Sequence, residues 1–199
     1  MQRGKSEDGK GRYAPARRFE GSENWQSKHG TGGKYKGRVL WRIIAFKTPH
    51  FGVFDTAFHS SMAREAKTYP IPLNYFSDHM VERYGFHGLA HRSMLETSAA
   101  IAGVSSKAGR VITLQLGAGC SGCAILNGNS IDTSMGFSPL EGLMMATRSG
   151  DIDPAIILHM MGKEELSLHE ANTMLNKHSG LVGVSGVSSD MREIIEEMN

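Results

Sequence analysis

Short apolar runs separated by glycine-rich turns are the clearest pattern in the middle of the chain. Val111–Leu116 and Cys123–Leu126 are apolar runs of strand length. Asn127-Gly128, directly after the second run, is a strong signal for a type I′ hairpin turn, and a third strand starts at Ser130–Asp132. The pattern predicts a β-meander whose first turn contains Gly117, Gly119 and Gly122.

The segment before this meander predicts one further strand and two helices. Gly52–His59 reads GVFDTAFH and is interpreted as an apolar strand that ends at Asp55. Helices are predicted at Asn74–Arg83 and at about His91–Ala102, with a loop at Gly103–Gly109. A carboxylate at a strand end is either an N-cap or an active-site group, and at this point both interpretations of Asp55 stand.

Capping signals predict three more helices towards the end of the chain, because N-cap side chains and helix-stopping glycines mark helix boundaries. Strands that precede helices favour an α/β layered domain. The signals are Asp153-Pro154 with Gly162 as the stop, Ser167 with Glu170 and Gly180 as the stop, and Asp190 with Glu193.

Charge divides the chain near residue 48. Residues 1–48 hold 12 Lys and Arg against 4 Asp and Glu, whereas residues 49–199 hold 10 against 16. Residues 1–38 are too poor in apolar side chains to offset their ordering entropy. We therefore predict a disordered, basic, Gly-rich leader at 1–48 and a compact domain at 49–199. The leader's charge and aromatic residues could bind nucleic acid, but a solvated leader is favoured.

The remaining composition is that of a soluble globular protein. The chain has 199 residues, of which 40% are hydrophobic and 21% charged. It contains no apolar run of the roughly 20 residues that span a bilayer, and no apolar signal-peptide segment occurs in residues 1–38. Two cysteines are too few for a disulfide framework, so we expect a cytoplasmic protein with no membrane partner.

Several polar residues lie among glycines, where they can bind anions. Backbone N–H groups of LGAGCSG can converge on an anion, although a plain hairpin explains the same glycines. His87 and His91 lack the glutamate of a zinc motif, and Gly88 places His87 at a turn, where it can donate to an anion.

Arg148 requires an anionic partner, which is either Asp151 or a bound phosphate. Cys120 and Cys123 are interpreted as small buried residues and not as a redox pair.

Five motifs in order resemble the acetate kinase family over roughly residues 49–199: VFDTAFH, RYGFHGLAHR, QLGAGCS, DTSMGFSPLEGLMMATRSGDIDP and GLVGVSGVSSDMREI. The resemblance implies an α/β, ribonuclease-H-like fold of the actin/hexokinase-like superfamily, present here incompletely. It also implies reversible transfer of a phosphoryl group from ATP to acetate or another short carboxylate. ATP/ADP and Mg²⁺ are the implied cofactors, and the family forms homodimers.

The same resemblance implies roles for individual residues. Asp55, His87 and Arg148 match the family's catalytic aspartate, histidine and arginine. Asp55 would either orient the attacking carboxylate or hold Mg²⁺, and no further metal ligand is assigned. The implied nucleotide-binding residues are Gln115, Leu116, Gly117, Ala118, Gly119, Asp190, Met191 and Arg192.

The chain departs from the family pattern in two respects. Gln115 and Ala118 stand where the family usually has His and Asn in the phosphate turn. The chain also has about half the usual length and corresponds to the middle of the enzyme. We therefore expect the isolated chain to make no acetyl phosphate. The alternative functions are a non-catalytic nucleotide-binding remnant and a basic-tailed nucleic-acid-binding adaptor.

Overall fold

A computed structural model describes residues 52–198. The chain divides into two units, Met1–Phe54 and Asp55–Asn199, and the architecture below is that of the second. The predicted disordered leader at 1–48 lies outside the described residues. In chain order the elements are a 3₁₀ helix at Ala57–Ser61, helices at Arg64–Lys67, Asn74–His79 and Gly88–Ala102, strands β1 (Arg110–Leu116), β2 (Cys120–Leu126) and β3 (Asn129–Thr133), and helices at Pro154–Lys163, Leu168–Lys177, Gly180–Ser185 and Met191–Glu197.

The predicted meander is present as an antiparallel sheet in the order β1-β2-β3. Asn127 and Gly128 have φ values of +50° and +83°, so both adopt the left-handed region that a type I′ turn requires. Strand β2 begins at Cys120, which pairs with Leu116. The predicted start at Cys123 was therefore late, and Gly122 lies within the strand and not in the turn.

One face of the sheet is buried beneath helices. Leu95 of the Gly88–Ala102 helix packs with Cys123 and Ile125 of β2, and Phe58 and Val111 pack around them. Burying a leucine side chain such as Leu95, which is 4% exposed, contributes about 2 kcal/mol. This packing holds the 3₁₀ helix and the long helix against the strands that carry the glycine-rich turn.

The opposite face of the sheet is apolar and exposed within the described part of the chain. Alternate residues of a strand point to opposite faces, so the exposed side chains follow the period of two. They are Ile112, Leu114 and Leu116 of β1 and Ile131 of β3.

The predicted strand at Gly52–His59 is wrong for the described residues. Asp55 and Thr56 form a turn, and Ala57–Ser61 is a 3₁₀ helix. A strand requires a hydrogen-bonded neighbour, and no strand in residues 52–198 pairs with this segment. Instead, the carbonyl oxygen of Asp55 accepts a hydrogen bond from Gly88 N–H at 2.8 Å.

The two helices before the sheet exist with different boundaries. The first covers Asn74–His79 and ends earlier than the predicted Arg83, because Met80 adopts a left-handed φ of +55°. The second begins at Gly88, three residues before the predicted His91. It ends at the predicted Ala102, and Gly103 after it has a φ of +67°. His87 lies at the turn before this helix, as Gly88 indicated.

All three capping signals towards the end of the chain are confirmed. Asp153 accepts from Ala155 N–H, Ser167 and Glu170 form a capping box, and Asp190 accepts from Arg192 N–H. Gly162 does not stop its helix, which continues to Lys163. A helix at Gly180–Ser185 was not predicted, because contacts with a distant loop hold its first turn.

Candidate active site

The glycine-rich turn brings two predicted site residues together. Gly117 N–H donates to the carbonyl of Gly119 at 3.1 Å, which closes the turn between β1 and β2. A Cβ added at Gly119 would lie 3.3 Å from Nη1 of Arg148 and 3.4 Å from Cε1 of His87. Both side chains therefore converge on the space that the absent side chain of Gly119 leaves open.

Arg148 is a half-buried cation without a carboxylate partner in residues 52–198. Its Nη1 donates to the carbonyl oxygen of Pro139 at 3.1 Å and to the sulfur of Met145 at 3.5 Å. Asp151 does not neutralise it, since no ion pair joins the two within residues 52–198. Asp151 Oδ1 instead accepts from Gly142 N–H at 2.7 Å.

Backbone contacts from both sides hold the Arg148 loop. Ala146 N–H donates to Ala118 in the glycine-rich turn at 3.1 Å, which joins loop and turn. From the unpredicted helix, Leu181 N–H donates to Met145 at 2.9 Å. Gly180 has φ +65°, and a Cβ there would lie 2.1 Å from the Met145 carbonyl oxygen, so only glycine fits. These contacts hold the loop by its backbone.

A second cluster supports the segment that carries Pro139. Arg83 forms an ion pair with Glu141 at 2.7 Å, and its guanidinium lies 5.6 Å from the centre of the Tyr69 ring. Tyr69 donates its hydroxyl proton to Glu141, and burial followed by this contact raises the pKa of Tyr69. Sequence reasoning missed this cluster, although Glu141 lies inside one of the family-like motifs.

Asp55 acts on the backbone of His87. Its Oδ2 accepts a hydrogen bond from His87 N–H at 2.7 Å, while its other carboxylate oxygen has no hydrogen bond from residues 52–198. Gly88 fits closely beside it, since a Cβ would lie 2.4 Å from the Asp55 carbonyl oxygen. Asp55 therefore bonds to the start of the Gly88–Ala102 helix through its carboxylate and its carbonyl oxygen, and its second carboxylate oxygen stays available.

The ring of His87 is held by a chain of buried polar side chains. Its Nδ1 lies 2.9 Å from Oγ of Ser121, and the same Oγ lies 2.8 Å from Nε2 of His91. Nδ1 of His91 lies 2.8 Å from Oγ1 of Thr113. His91 is completely buried, and burial lowers its pKa to about 4, so its ring is neutral.

His59 is a second buried histidine behind this chain. Its Nε2 donates to the carbonyl of Phe86 at 3.0 Å, and its Nδ1 accepts from the hydroxyl of Ser130 at 2.9 Å. Burial lowers the pKa of His59 as well. The sequence contained no signal for these hydroxyl partners beyond their positions in the strands, because serine and threonine are common there for other reasons.

The implied nucleotide residues are only partly joined to this site. Oε1 of Gln115 is buried without a hydrogen-bond partner in the described part of the chain. Asp190 caps the Met191–Glu197 helix and pairs with Arg192 at 2.6 Å, which lowers the pKa of Asp190 to about 2. No contact described for Asp190 or Arg192 reaches Asp55, His87 or Arg148.

Comparison with known proteins identifies the family. The model of the acetokinase family matches residues 39–199, and this match begins before Pro49, where the motif resemblance was placed. The chain belongs to the acetokinase family. It is 50% identical to the acetate kinase of Symbiobacterium thermophilum over 150 residues, which are 75% of this chain and 38% of that protein. The acetate kinase of Fervidobacterium nodosum is 52% identical over 158 residues, or 79% and 39% of the two chains.

Solved structures of this family have the same fold. The Porphyromonas gingivalis acetate kinase is 42% identical and matches with a TM-score of 0.77 over 82% of this chain and 41% of its own. A Francisella tularensis propionate kinase is 41% identical, with a TM-score of 0.77 over 82% and 42%. The α/β fold class implied by the motifs is confirmed. This acetokinase-family chain spans about two-fifths of the length of the curated relatives that it matches.

The helices of residues 52–198 are all too short or too polar to cross a bilayer. The cytoplasmic location stays a prediction.

Proposed function

We propose that this chain carries the phosphoryl-transfer centre of an ATP:acetate phosphotransferase, which reversibly converts acetate and ATP to acetyl phosphate and ADP. The observation that carries the proposal is the convergence of Arg148 and His87 on the open space at Gly119. A half-buried arginine without a carboxylate partner in residues 52–198 suits a ligand that brings its own negative charge. Membership of the acetokinase family supports the same reaction.

Arg148 and His87 would act on the migrating phosphoryl group. Its transition state spreads negative charge over three equatorial oxygens, so fixed donors aimed at those oxygens stabilise it. Arg148 donates to the protein through Nη1, and its remaining N–H groups make no hydrogen bond within the described residues. Removing one such donor typically lowers turnover about 100- to 1,000-fold. The loop and the glycine-rich turn hold Arg148 and His87 in place, so these two donors reorganise little during the transfer.

Asp55 would place the acceptor carboxylate or bind Mg²⁺ through its oxygen that is not bonded to His87. Mg²⁺ commonly binds through one or two carboxylates together with substrate phosphates, and it neutralises charge on those phosphates. One carboxylate fits that pattern, and residues 52–198 contain no cluster of three or more His, Cys, Asp or Glu that would suggest a metal cage. The nucleotide is assigned to Gln115–Gly119, with a further contact from Asp190, Met191 and Arg192.

The acceptor is proposed to be acetate or another short carboxylate. The matched structures include a propionate kinase as well as acetate kinases, so the length of the acyl group is the property that varies among them. The homodimer of the family is proposed for the complete protein.

The role of Arg148 can be tested by turnover and by binding. In a complete acetate kinase with the Thr-Arg-Ser-Gly-Asp motif, replacing the arginine that matches Arg148 by alanine is expected to lower turnover at least about 100-fold. In the present chain, Arg148→Met should weaken the binding of MgADP and inorganic phosphate measured by NMR titration. Arg110→Met, at the exposed start of β1, is the matched control for binding by the present chain and should leave that binding unchanged. Near-normal turnover and unchanged binding in the Arg148 variants would contradict the proposal.

A further inference from the structure

The hydrogen-bond chain Thr113–His91–Ser121–His87 can run in only two directions. Ser121 Oγ has one proton and lies within 2.9 Å of Nδ1 of His87 and 2.8 Å of Nε2 of His91. It can donate to only one ring, and accepting from both would leave its own buried proton without an acceptor among residues 52–198. It therefore donates to one ring and accepts from the other, and the tautomer of one ring determines the tautomer of the other.

Thr113 distinguishes the two directions. If His91 donated from Nδ1 to Thr113, the hydroxyl proton of Thr113 would have no acceptor among residues 52–198, although Thr113 is only 6% exposed. A buried donor without an acceptor is unfavourable, because it has lost its hydrogen bond to water without replacement. If Thr113 donates to Nδ1 of His91 instead, each buried proton between Thr113 and Nδ1 of His87 has an acceptor. His91 then donates from Nε2 to Ser121, and Ser121 donates to Nδ1 of His87.

We propose that Thr113, His91 and Ser121 are positioning residues that hold His87 in its Nε2–H tautomer, with that N–H directed to the space beside Gly119 and Arg148. Its value for catalysis rests on the proposed phosphoryl transfer. A Cβ at Gly119 would lie 3.7 Å from Nε2 of His87, so this nitrogen borders the proposed phosphoryl site. In this tautomer His87 can donate from Nε2 to a phosphoryl oxygen beside Arg148.

The backbone and the burial of the chain support this role. His87 has φ +58° and its N–H is bonded to Asp55, so the ring projects from a fixed backbone. His91 and Ser121 are fully buried, so bulk water does not compete for the His91 ring or for the Ser121 hydroxyl. His59 provides an internal reference, because its bond from Nε2 to the Phe86 carbonyl requires the Nε2–H tautomer there.

The test is the ¹⁵N NMR spectrum of the histidine rings in the full 199-residue chain. We expect His87 and His91 both to carry the proton on Nε2 and to accept at Nδ1, with His59 as the reference for that pattern. Protons on Nδ1 of both His87 and His91 would overturn the proposal. Uncorrelated tautomers in the two rings would overturn it as well. This measurement requires no substitution and no enzymatic activity.

Substitutions remote from His87 distinguish a relay, in which the hydroxyl of Thr113 sets the tautomer of His87, from an effect of general packing. Thr113→Val removes the hydroxyl that selects the direction, so both tautomers of His87 should become populated, and Thr113→Ser should restore the single tautomer. Thr133→Val is the matched control, because Thr133 is equally buried in the sheet but donates to the Gly122 carbonyl. An unchanged His87 tautomer in Thr113→Val, or the same change in Thr133→Val, would contradict the relay. Failure of the proposed phosphoryl transfer would leave these ring signals as they are.

Discussion

The Asp55 carboxylate accepts a hydrogen bond from the backbone N–H of His87 at 2.7 Å. This bond joins the Phe-Asp-Thr and Phe-His-Gly motifs, which are distant in sequence, into one unit at the start of the Gly88–Ala102 helix. It also holds His87 in a left-handed backbone conformation that is uncommon for a residue with a side chain. Asp55 and His87, two of the proposed catalytic residues, thus stabilise each other's position.

Substitution of Asp55 should separate its structural role from its catalytic role. Asp55→Ala removes the acceptor for His87 N–H and is expected to lower the free energy of unfolding by about 1 kcal/mol, as for loss of one hydrogen bond. Asp55→Asn keeps an acceptor oxygen and should cost clearly less. Urea denaturation measures both values. Equal losses for the two variants would mean that the hydrogen bond contributes nothing to stability.

Gly119 should be required for ligand binding and not for folding. Its backbone is not left-handed, and a Cβ would contact only the ends of the Arg148 and His87 side chains. We expect Gly119→Ala to weaken binding of MgADP or inorganic phosphate about 10-fold or more, equivalent to about 1.4 kcal/mol, with little change in thermal stability. Gly122→Ala, in the same hairpin, meets only the end of Leu114 and serves as the control. Equal binding by the two variants would argue against a ligand at Gly119.

Two glycine-to-alanine changes should have opposite effects on stability. A Cβ at Gly136 would lie 1.6 Å from Oε2 of Glu141 and 2.0 Å from the hydroxyl of Tyr69, so Gly136→Ala disrupts the cluster with Arg83. Overpacking of this kind costs about 1–3 kcal/mol. Gly162 lies in a helix with open space around it, and Gly162→Ala should stabilise by about 0.5–1 kcal/mol. Thermal unfolding of the two variants provides the comparison, and a stable Gly136→Ala variant would contradict the close packing.

Buried His91 should make the protein less stable in acid. Its pKa is about 4 in the folded state, against an ordinary value of 6.5, so between these pH values the unfolded state binds more protons. The free energy of unfolding keeps its full value with respect to His91 above pH 6.5. It decreases as the pH falls towards 4, by about 3 kcal/mol in total. Urea denaturation across this range should show a flatter dependence for His91→Gln. His169→Gln, at an exposed position, should keep the wild-type slope, and an unchanged slope in His91→Gln would refute this account.

The 199-residue chain by itself is expected to make no acetyl phosphate. It spans 38% of the S. thermophilum acetate kinase that it matches, and phosphoryl transfer depends on positioning the acceptor as much as on stabilising charge. A hydroxamate assay with ATP, Mg²⁺ and acetate measures the product. Robust turnover that disappears in Asp55→Ala would show the prediction to be wrong.

The sequence by itself determined the local features of this protein. Asn127-Gly128 predicts its turn because both residues tolerate the left-handed backbone, and Asp153, Ser167 and Asp190 predict helix starts because each side chain bonds to N–H groups two or three residues ahead. Such interactions lie within a few residues and depend little on the rest of the fold. The family-like motifs were recognisable for a similar reason, since each is a continuous stretch of chain.

Only the tertiary structure decided which distant groups meet. Gly52–His59 has the composition of a strand, but no strand in residues 52–198 pairs with it, and the Asp55 carbonyl accepts from Gly88 N–H. The Gly180–Ser185 helix depends on carbonyl groups of the Arg148 loop, and the convergence of Arg148 and His87 at Gly119 depends on the packing of three separate segments. Hydrogen bonding and burial between residues far apart in sequence are properties of the folded chain, and no local pattern of residues specifies them.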